Sequence, residues 1–309
     1  MLNFRKQYYS SLGVKTVEVK PSVENALQGD VLSVDRLNKL CLWIRIPHFY
    51  RPIVWKLACC PVHRDSWEFV GRQRQEHFEA LKEAVVLMTT KSLNTTHDDL
   101  TPELLVRMVL FELLDAPPSV TLCSDAPPPH LLALATAFLE ICETSDEDAF
   151  WLLVHFVRSL RIDLLADSAG QSADKHSADI DTLVSLLDRH NPGLLAHIRR
   201  VGLSLHSACR GWFQCYFAGI IPSHALEGVW DILIGGAPGI MPYLGLSLLL
   251  SASRKIEACR TGAELSALIP QITKFVDVDS VANMSIDLWE IPVLERMSKE
   301  SKRLLGYRV

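Results

Sequence analysis

Apolar residues recur along most of this chain at intervals of three and four, the period of a helix with one buried face. No alternating run of β-branched residues is long enough to build a sheet, so the pattern predicts an all-α fold. Helices are expected over 34–45, 51–59, 66–89, 102–114, 130–143, 146–161, 178–190, 193–205, 208–217, 223–234, 240–259, 262–274, 277–290 and 292–305. Several carry end signals. Thr261-Gly-Ala-Glu264 reads as a capping box, Pro222 suits a first helical turn, and Gly235-Gly236 can end the helix before it. The segment 146–161 is apolar nearly all round, through Phe150, Trp151, Leu153, Val154, Phe156 and Val157, and is expected at the centre of the fold. Ser145 and the acids after it suit its positive end. The segment 223–234 carries one stripe, Leu226, Val229, Trp230 and Leu233, and packs by that side.

Two segments break the period: Asp115 to Pro129, rich in proline, and Ala166 to Asp179, rich in Ser, Ala and Asp. Both are expected as exposed loops. The second suggests a border between two helical lobes. The domain plan is an N-terminal extension over 1–30, then one domain over 31–305, with an N-terminal lobe to about 165 and a C-terminal lobe from about 178.

Composition narrows the function. With 49% hydrophobic and 22% charged residues the 309-residue chain can bury a core and is not a disordered type. A net charge of −5 with no long block of one sign leaves no electrostatic footprint for nucleic acid. The most apolar stretch, Ile240 to Ser253, is closed by Arg254 and Lys255 before it reaches the roughly 20 residues of a membrane span. The first residues lack the apolar core of a secretory signal, and the eight cysteines sit mostly in apolar surroundings, so a cytosolic chain without disulfides is expected.

Familiar reaction chemistry is absent from the motifs. Gly235-Gly236-Ala-Pro-Gly239 follows a helix and has no lysine, unlike a phosphate-binding loop. No Cys-x-x-Cys occurs, and Cys59-Cys60-Pro-Val-His63 reads as packed thiols at a helix end. Ser204 and Ser247 lack the second glycine of a nucleophile elbow. His155 reads as a core histidine. No cofactor and no metal are expected.

Three motifs go further. Tyr50-Arg51-Pro-Ile-Val-Trp55, Glu147-Asp148-Ala149-Phe150-Trp151, and Trp212-Phe213 with Ile221-Pro222 and Val229-Trp230-Asp231 follow one another in the order and spacing of the TBC domain family. That family comprises helical GTPase-activating domains that act on Rab-type small GTPases. The resemblance implies a two-lobed helical domain with Arg51, Trp55, Trp151, Trp230 and Asp231 as framework. Active members carry an arginine finger in Ile-x-x-Asp-x-x-Arg and a glutamine in Tyr-x-Gln. Here the first aligns with Thr96-His-Asp-Asp99-Leu-Thr-Pro102, keeping the acid but placing proline at the finger, and the glutamine position falls near Leu131. Catalysis is therefore expected to be lost. An arginine finger is worth about 10³ to 10⁵ in rate, and Arg107, Arg72 or Arg74 are the groups that could replace it.

Within the family the likeness to one branch runs end to end, through Asn3-Phe-Arg-Lys-Gln-Tyr-Tyr9, His48-Phe49-Tyr50-Arg51, Cys215-Tyr-Phe217-Ala-Gly219 and Ile286-Asp287-Leu288-Trp289. This implies a subunit of the tuberous sclerosis complex that binds a C-terminal helical tail of hamartin, while tuberin acts on Rheb and restrains target-of-rapamycin signalling. It also implies recruitment to a lysosomal or vesicle surface through that complex. The competing reading is a working GTPase-activating protein for a Rab or Rheb with non-standard catalytic groups. For the partner groove the expectation falls on Phe78, Leu81, Val85 and Met88, which share one face of the 66–89 helix, with internal burial as the alternative.

Overall fold

The computed structural model describes residues 19–27, 33–59, 66–89, 100–114, 127–162, 164 and 176–304. Among these the fold is helical, with no strand beyond one isolated bridge between Ala218 and Ile221. The helices are α1 (Val19–Leu27), α2 (Val34–Trp43), α3 (Arg51–Cys59), α4 (Trp67–Thr89), α5 (Pro102–Leu113), α6 (Pro129–Ile141) and α7 (Asp146–Leu160). They continue with α8 (Ser177–His190), α9 (Pro192–Arg200), α10 (Leu205–Gln214), α11 (Ser223–Ile234), α12 (Met241–Ser251), α13 (Ser253–Ala258), α14 (Gly262–Leu268) and α15 (Val278–Leu304). Short 3-10 turns lie at His48–Tyr50, Pro238–Ile240 and Ile269–Phe275.

In the N-terminal half, α7 packs against α3, α4, α5 and α6. Its position follows from its composition, since Phe150, Leu153, Val154 and Val157 are all buried. Ser145 caps it by accepting from the Asp148 N–H at 3.1 Å, and Asp146, Glu147 and Asp148 sit at the positive end of the helix dipole. In the C-terminal half, α12 packs between α8 and α15. Close approach to α8 needs a small residue, and a Cβ at Gly245 would lie 3.2 Å from Leu183 Cδ2. The halves share one core, because α11 reaches back to α2, α3 and α6.

Differences from the sequence pattern have local causes. The 19–27 segment is a helix with Val23 and Ala26 buried, so the N-terminal extension contributes to the core; Pro21 is tolerated in its first turn. The expected helix over 240–259 divides at Ala252, and the change of direction lets buried Ile256 pack α13 on α9. Past Leu268 the chain tightens into a 3-10 turn, since Pro270 cannot donate to the preceding turn. The segments expected as 277–290 and 292–305 form one helix that runs through Pro292. Pro222 lies just outside α11 as its cap rather than in its first turn. Pro129 already opens α6, and Ser177 opens α8; the rest of the two expected loops, 115–126 and 166–175, lies outside the described residues.

The capping box at Thr261 forms with one variation. Thr261 Oγ1 accepts from the Glu264 N–H at 3.2 Å, while Glu264 Oε2 accepts from the N–H of Arg260 at 2.8 Å. Cys41, Cys142, Cys209 and Cys215 are buried free thiols, and burial pushes Cys142 and Cys209 up to about 12. These are packing groups without nucleophilic character at neutral pH. Cys60 and Cys123 lie outside the described residues.

Candidate functional site

The motif residues of α3 and α11 meet in a buried ionic cluster. Arg51 donates to Asp231 through Nε at 2.9 Å and Nη2 at 3.0 Å, a two-pronged contact that fixes the plane of the carboxylate. Its Nη2 also donates to the Ile46 carbonyl at 2.7 Å, and its Nη1 to Glu227 Oε2. The Trp55 indole donates to Asp231 Oδ1 at 2.8 Å, and His48 Nδ1 lies 2.9 Å from Glu227 Oε1. Burial pushes the Asp231 carboxyl up to about 6, against the opposing pull of the Arg51 guanidinium and the Trp55 indole. Three chain segments, 46–48, α3 and α11, are pinned by this cluster, which is buried except for the exposed His48 side chain. Of the five expected framework residues, Arg51, Trp55, Trp230 and Asp231 assemble here.

Trp151 is the exception. It is only half-buried, and one face of its ring carries Arg74, whose guanidinium carbon lies 5.6 Å from the ring centroid. His77 lies beside it, with ring centroids 5.5 Å apart. Trp151 packs its inner side against the core, with the Phe150 ring centroid 5.0 Å away. It lines a cleft of about 500 Å³ with Phe69, Val70, Gln73 and His77. A neighbouring hollow of about 210 Å³ continues along α3 and α4 through Ile53, Leu57, Trp67 and Val70, and Arg74 borders both. Phe69 is 66% exposed and Ile53 40%, large apolar side chains on a surface where charge is available all around. The Trp151 Nε1 and Glu147 Oε1 atoms are buried without a hydrogen-bond partner. Burial raises the Glu147 carboxyl above the usual carboxylate range, with Lys56 opposing.

The finger-aligned positions lie elsewhere. Asp99 falls outside the described residues. Pro102 is the first residue of α5, behind Thr101, whose hydroxyl accepts from the Leu104 N–H at 3.3 Å. Leu131 is 1% exposed in α6. Among the replacement arginines, Arg107 is buried in α5, Arg72 pairs with Glu68 at 3.0 Å on the surface, and Arg74 is engaged with Trp151.

The expected groove residues turn inward. Phe78, Leu81 and Val85 are buried, with Phe78 against Phe150 at a ring-centroid distance of 5.7 Å, and Met88 is half-buried in the same core. They form the seam between α4 and its neighbours α5 and α7, because a helix on the outside of a bundle must bury one stripe against its own chain first. The accessible apolar residues of α4 are Phe69 and Leu87. Sequence reasoning also passed over Glu227 and Ile53. The signal for Glu227 was its spacing of four from Asp231 on a helix otherwise nearly all apolar.

The His155 ring, one turn beyond Trp151, is pushed down to about 4 by burial and by Arg74 and Arg158. A lowered histidine leaves the folded protein neutral where the unfolded chain takes a proton. The stabilising contribution is therefore present above the unfolded value and lost as pH falls from 6.5 toward 4. Allowing for solvent screening of a part-exposed ring, His155→Gln is expected to flatten the acid loss of stability by about 1 kcal/mol over that window. Urea melts of both proteins at pH 7 and at about pH 4.5 measure it; equal slopes would remove the assignment.

The aromatic frame tied by an arginine to a buried aspartate lies on an all-helical scaffold, and residues 130–256 match the Rab-GTPase-TBC domain family. Over 291 residues the chain is 28% identical to TBC1 domain family member 7 of Homo sapiens, covering 93% of this chain and 94% of the relative. It is 28% identical to the Danio rerio protein of the same name over 290 residues, with the same coverage. In fold it resembles the crystal structure of the Ypt/Rab-GAP domain of Gyp1p, with a TM-score of 0.60 at 15% identity, covering 89% of this chain and 99% of that one. A Chlamydomonas flagellar RabGAP TBC domain aligns with a TM-score of 0.51 at 14% identity, covering 90% and 88%.

Proposed function

We propose that this chain is a non-catalytic TBC-domain subunit that captures an amphipathic helix of a coiled-coil partner in the cleft between α3, α4 and α7. The partner read from the family resemblance is the C-terminal coiled coil of hamartin, within a tuberous sclerosis complex in which tuberin supplies the activity toward Rheb and so restrains target-of-rapamycin signalling. Recruitment to a lysosomal or vesicle surface belongs to the same reading. The observation that carries it is the apolar cleft itself, with Phe69 and Ile53 exposed on its rim. A helix laid there covers the exposed rings at the i, i+3, i+4 spacing by which helices enter grooves. The loss of catalysis is supported by the chemistry of the finger-aligned residues. Proline at 102 has no donor to neutralise a transferring phosphoryl group, and leucine at 131 cannot orient water.

Two measurements test this. In single-turnover assays over a panel of Rab GTPases and Rheb, the purified chain is expected to leave hydrolysis within about tenfold of the intrinsic rate, because a working finger contributes about 10³ or more. Acceleration of that size, abolished by Arg74→Ala or Arg107→Ala, would establish the competing reading of a GTPase-activating protein with non-standard groups. Binding of a hamartin coiled-coil peptide by the wild type is expected to weaken at least tenfold in Phe69→Glu and in Ile53→Glu, since each buries a charge against an apolar helix face. Both side chains are exposed, so melting curves should not move. Undiminished binding by both variants would exclude the cleft.

A further inference from the structure

A second surface, on the opposite half of the chain sequence, has a different chemistry. Although the chain as a whole is net acidic, Arg199 and Arg200 end α9, Arg254 and Lys255 begin α13, and Arg260 precedes α14, all exposed. These elements are held together. His197 on α9 lies 3.0 Å from the Cys259 carbonyl, and Arg200 Nη2 lies 2.6 Å from the other nitrogen of that ring. Packing of α9 on α13 therefore brings the five cations onto one region. In the same region Phe275 is 46% exposed, with the Lys255 ammonium 5.4 Å from its ring centroid.

Local stability does not account for the arrangement. Arginines at 199 and 200 complement the negative end of α9, but Arg254 is the second residue of α13, the end where a helix dipole disfavours cations. Among the described residues none of Arg199, Arg254, Lys255 and Arg260 has an ion-pair partner. The acids on these elements are fewer than the cations: Glu264 is spent on the Arg260 backbone N–H in the capping box, Asp277 accepts from the Ser280 hydroxyl, and Glu257 lies among the five cations.

We infer that this face of α9, α13 and the turn ending at Phe275 docks the protein on an anionic membrane surface, the cations meeting lipid headgroups and Phe275 entering the interface. An aromatic ring set among cations and left in water favours this over a purely ionic partner, because interfacial rings gain by leaving water at headgroup depth while their cationic neighbours stay hydrated. Several basic side chains near an anionic bilayer each contribute about fivefold in partitioning, so a cluster of this size binds without any membrane-spanning segment. None of the helices among the described residues is long and apolar enough to span.

The test is co-sedimentation of the purified chain, without any partner protein, with vesicles of phosphatidylcholine alone or carrying about 30% phosphatidylserine. The wild type is expected to bind only the anionic vesicles and to release as salt rises from about 50 mM to about 300 mM. The variant R199E/R254E/R260E is expected to lose binding on the order of a hundredfold. Phe275→Ser should weaken it about tenfold while keeping the salt dependence. All four side chains are exposed, and unchanged melting curves would show that the fold survives. Equal binding to neutral vesicles, undiminished binding by the triple variant, or capture of polyglutamate but not of vesicles would each overturn the inference. Because the cleft and its helical partner take no part in the assay, a failure here leaves the proposed function standing.

Discussion

Arg51→Met is expected to cost about 3–5 kcal/mol at neutral pH, enough to unfold a marginally stable domain. The pair it forms with Asp231 is fully buried, so removing the cation leaves Asp231 without either arm of its two-pronged contact and Glu227 without its guanidinium. Asp231→Ala should be milder, because Arg51 keeps Glu227 and the Ile46 carbonyl. The difference carries a pH signature whose sign is fixed. Asp231 already stands at about 6 with Arg51 in place, since burial outweighs the attraction. Without Arg51 its folded value rises further above that of the unfolded chain. A carboxyl raised in the folded state contributes stability below its unfolded value and loses it as pH rises through the folded one. The deficit of Arg51→Met relative to wild type is therefore expected to shrink at about pH 5 and widen at about pH 7.5 in urea melts. A deficit below about 1 kcal/mol, or one independent of pH, would show that the cluster is dispensable.

That cluster also marks how far the sequence could be read. The aromatic and arginine positions were legible because large rings and a lone arginine on apolar helices have few places to go except a shared core. The pairing of Arg51 with Asp231, 180 residues apart, was not legible from period or spacing, which report only local structure. Helix existence was read well, and helix ends less so. At Ala252 the packing of Ile256 on α9 decides the break, and no local residue announces it. The α1 helix did leave a signal, a proline in the first turn followed by Val23, Ala26 and Leu27 at helical spacing. The stripe expected at the partner groove is buried. Phe78, Leu81 and Val85 obey the same period whether they meet another protein or α5 and α7 of their own chain, and only the neighbouring helices settle which. The cleft at Phe69, Ile53 and Trp151 draws on two helices and a third at its edge, so it had no expression in any single stretch of sequence.

The two motif tryptophans should part company under mutation. Trp230→Ala is expected to cost about 3–5 kcal/mol and lower the melting temperature by more than about 10 °C. The ring is fully buried among Trp55, Phe138 and Phe156, with centroids 5.0–6.4 Å away, and its removal leaves a void that these three rigid rings cannot collapse to fill. The indole also donates to the Tyr216 carbonyl at 3.1 Å. That bond holds a turn in which Tyr216 and Phe217 both take left-handed backbone angles, φ 49° and 66°, a conformation that costs non-glycine residues energy and persists only where the surroundings enforce it. Trp151→Ala removes a ring that is half in solvent and whose contacts are Phe150, His77 and Arg74 at the edge of the cleft. Its expected cost is about 1 kcal/mol, partly offset because the buried indole N–H without a partner disappears with it. Thermal melts by circular dichroism separate the two, and hamartin-peptide binding supplies the complementary readout, with Trp151→Ala folded but weakened in binding. A Trp151→Ala protein that melts as early as Trp230→Ala would return Trp151 to the framework and remove the cleft's central wall from the binding proposal.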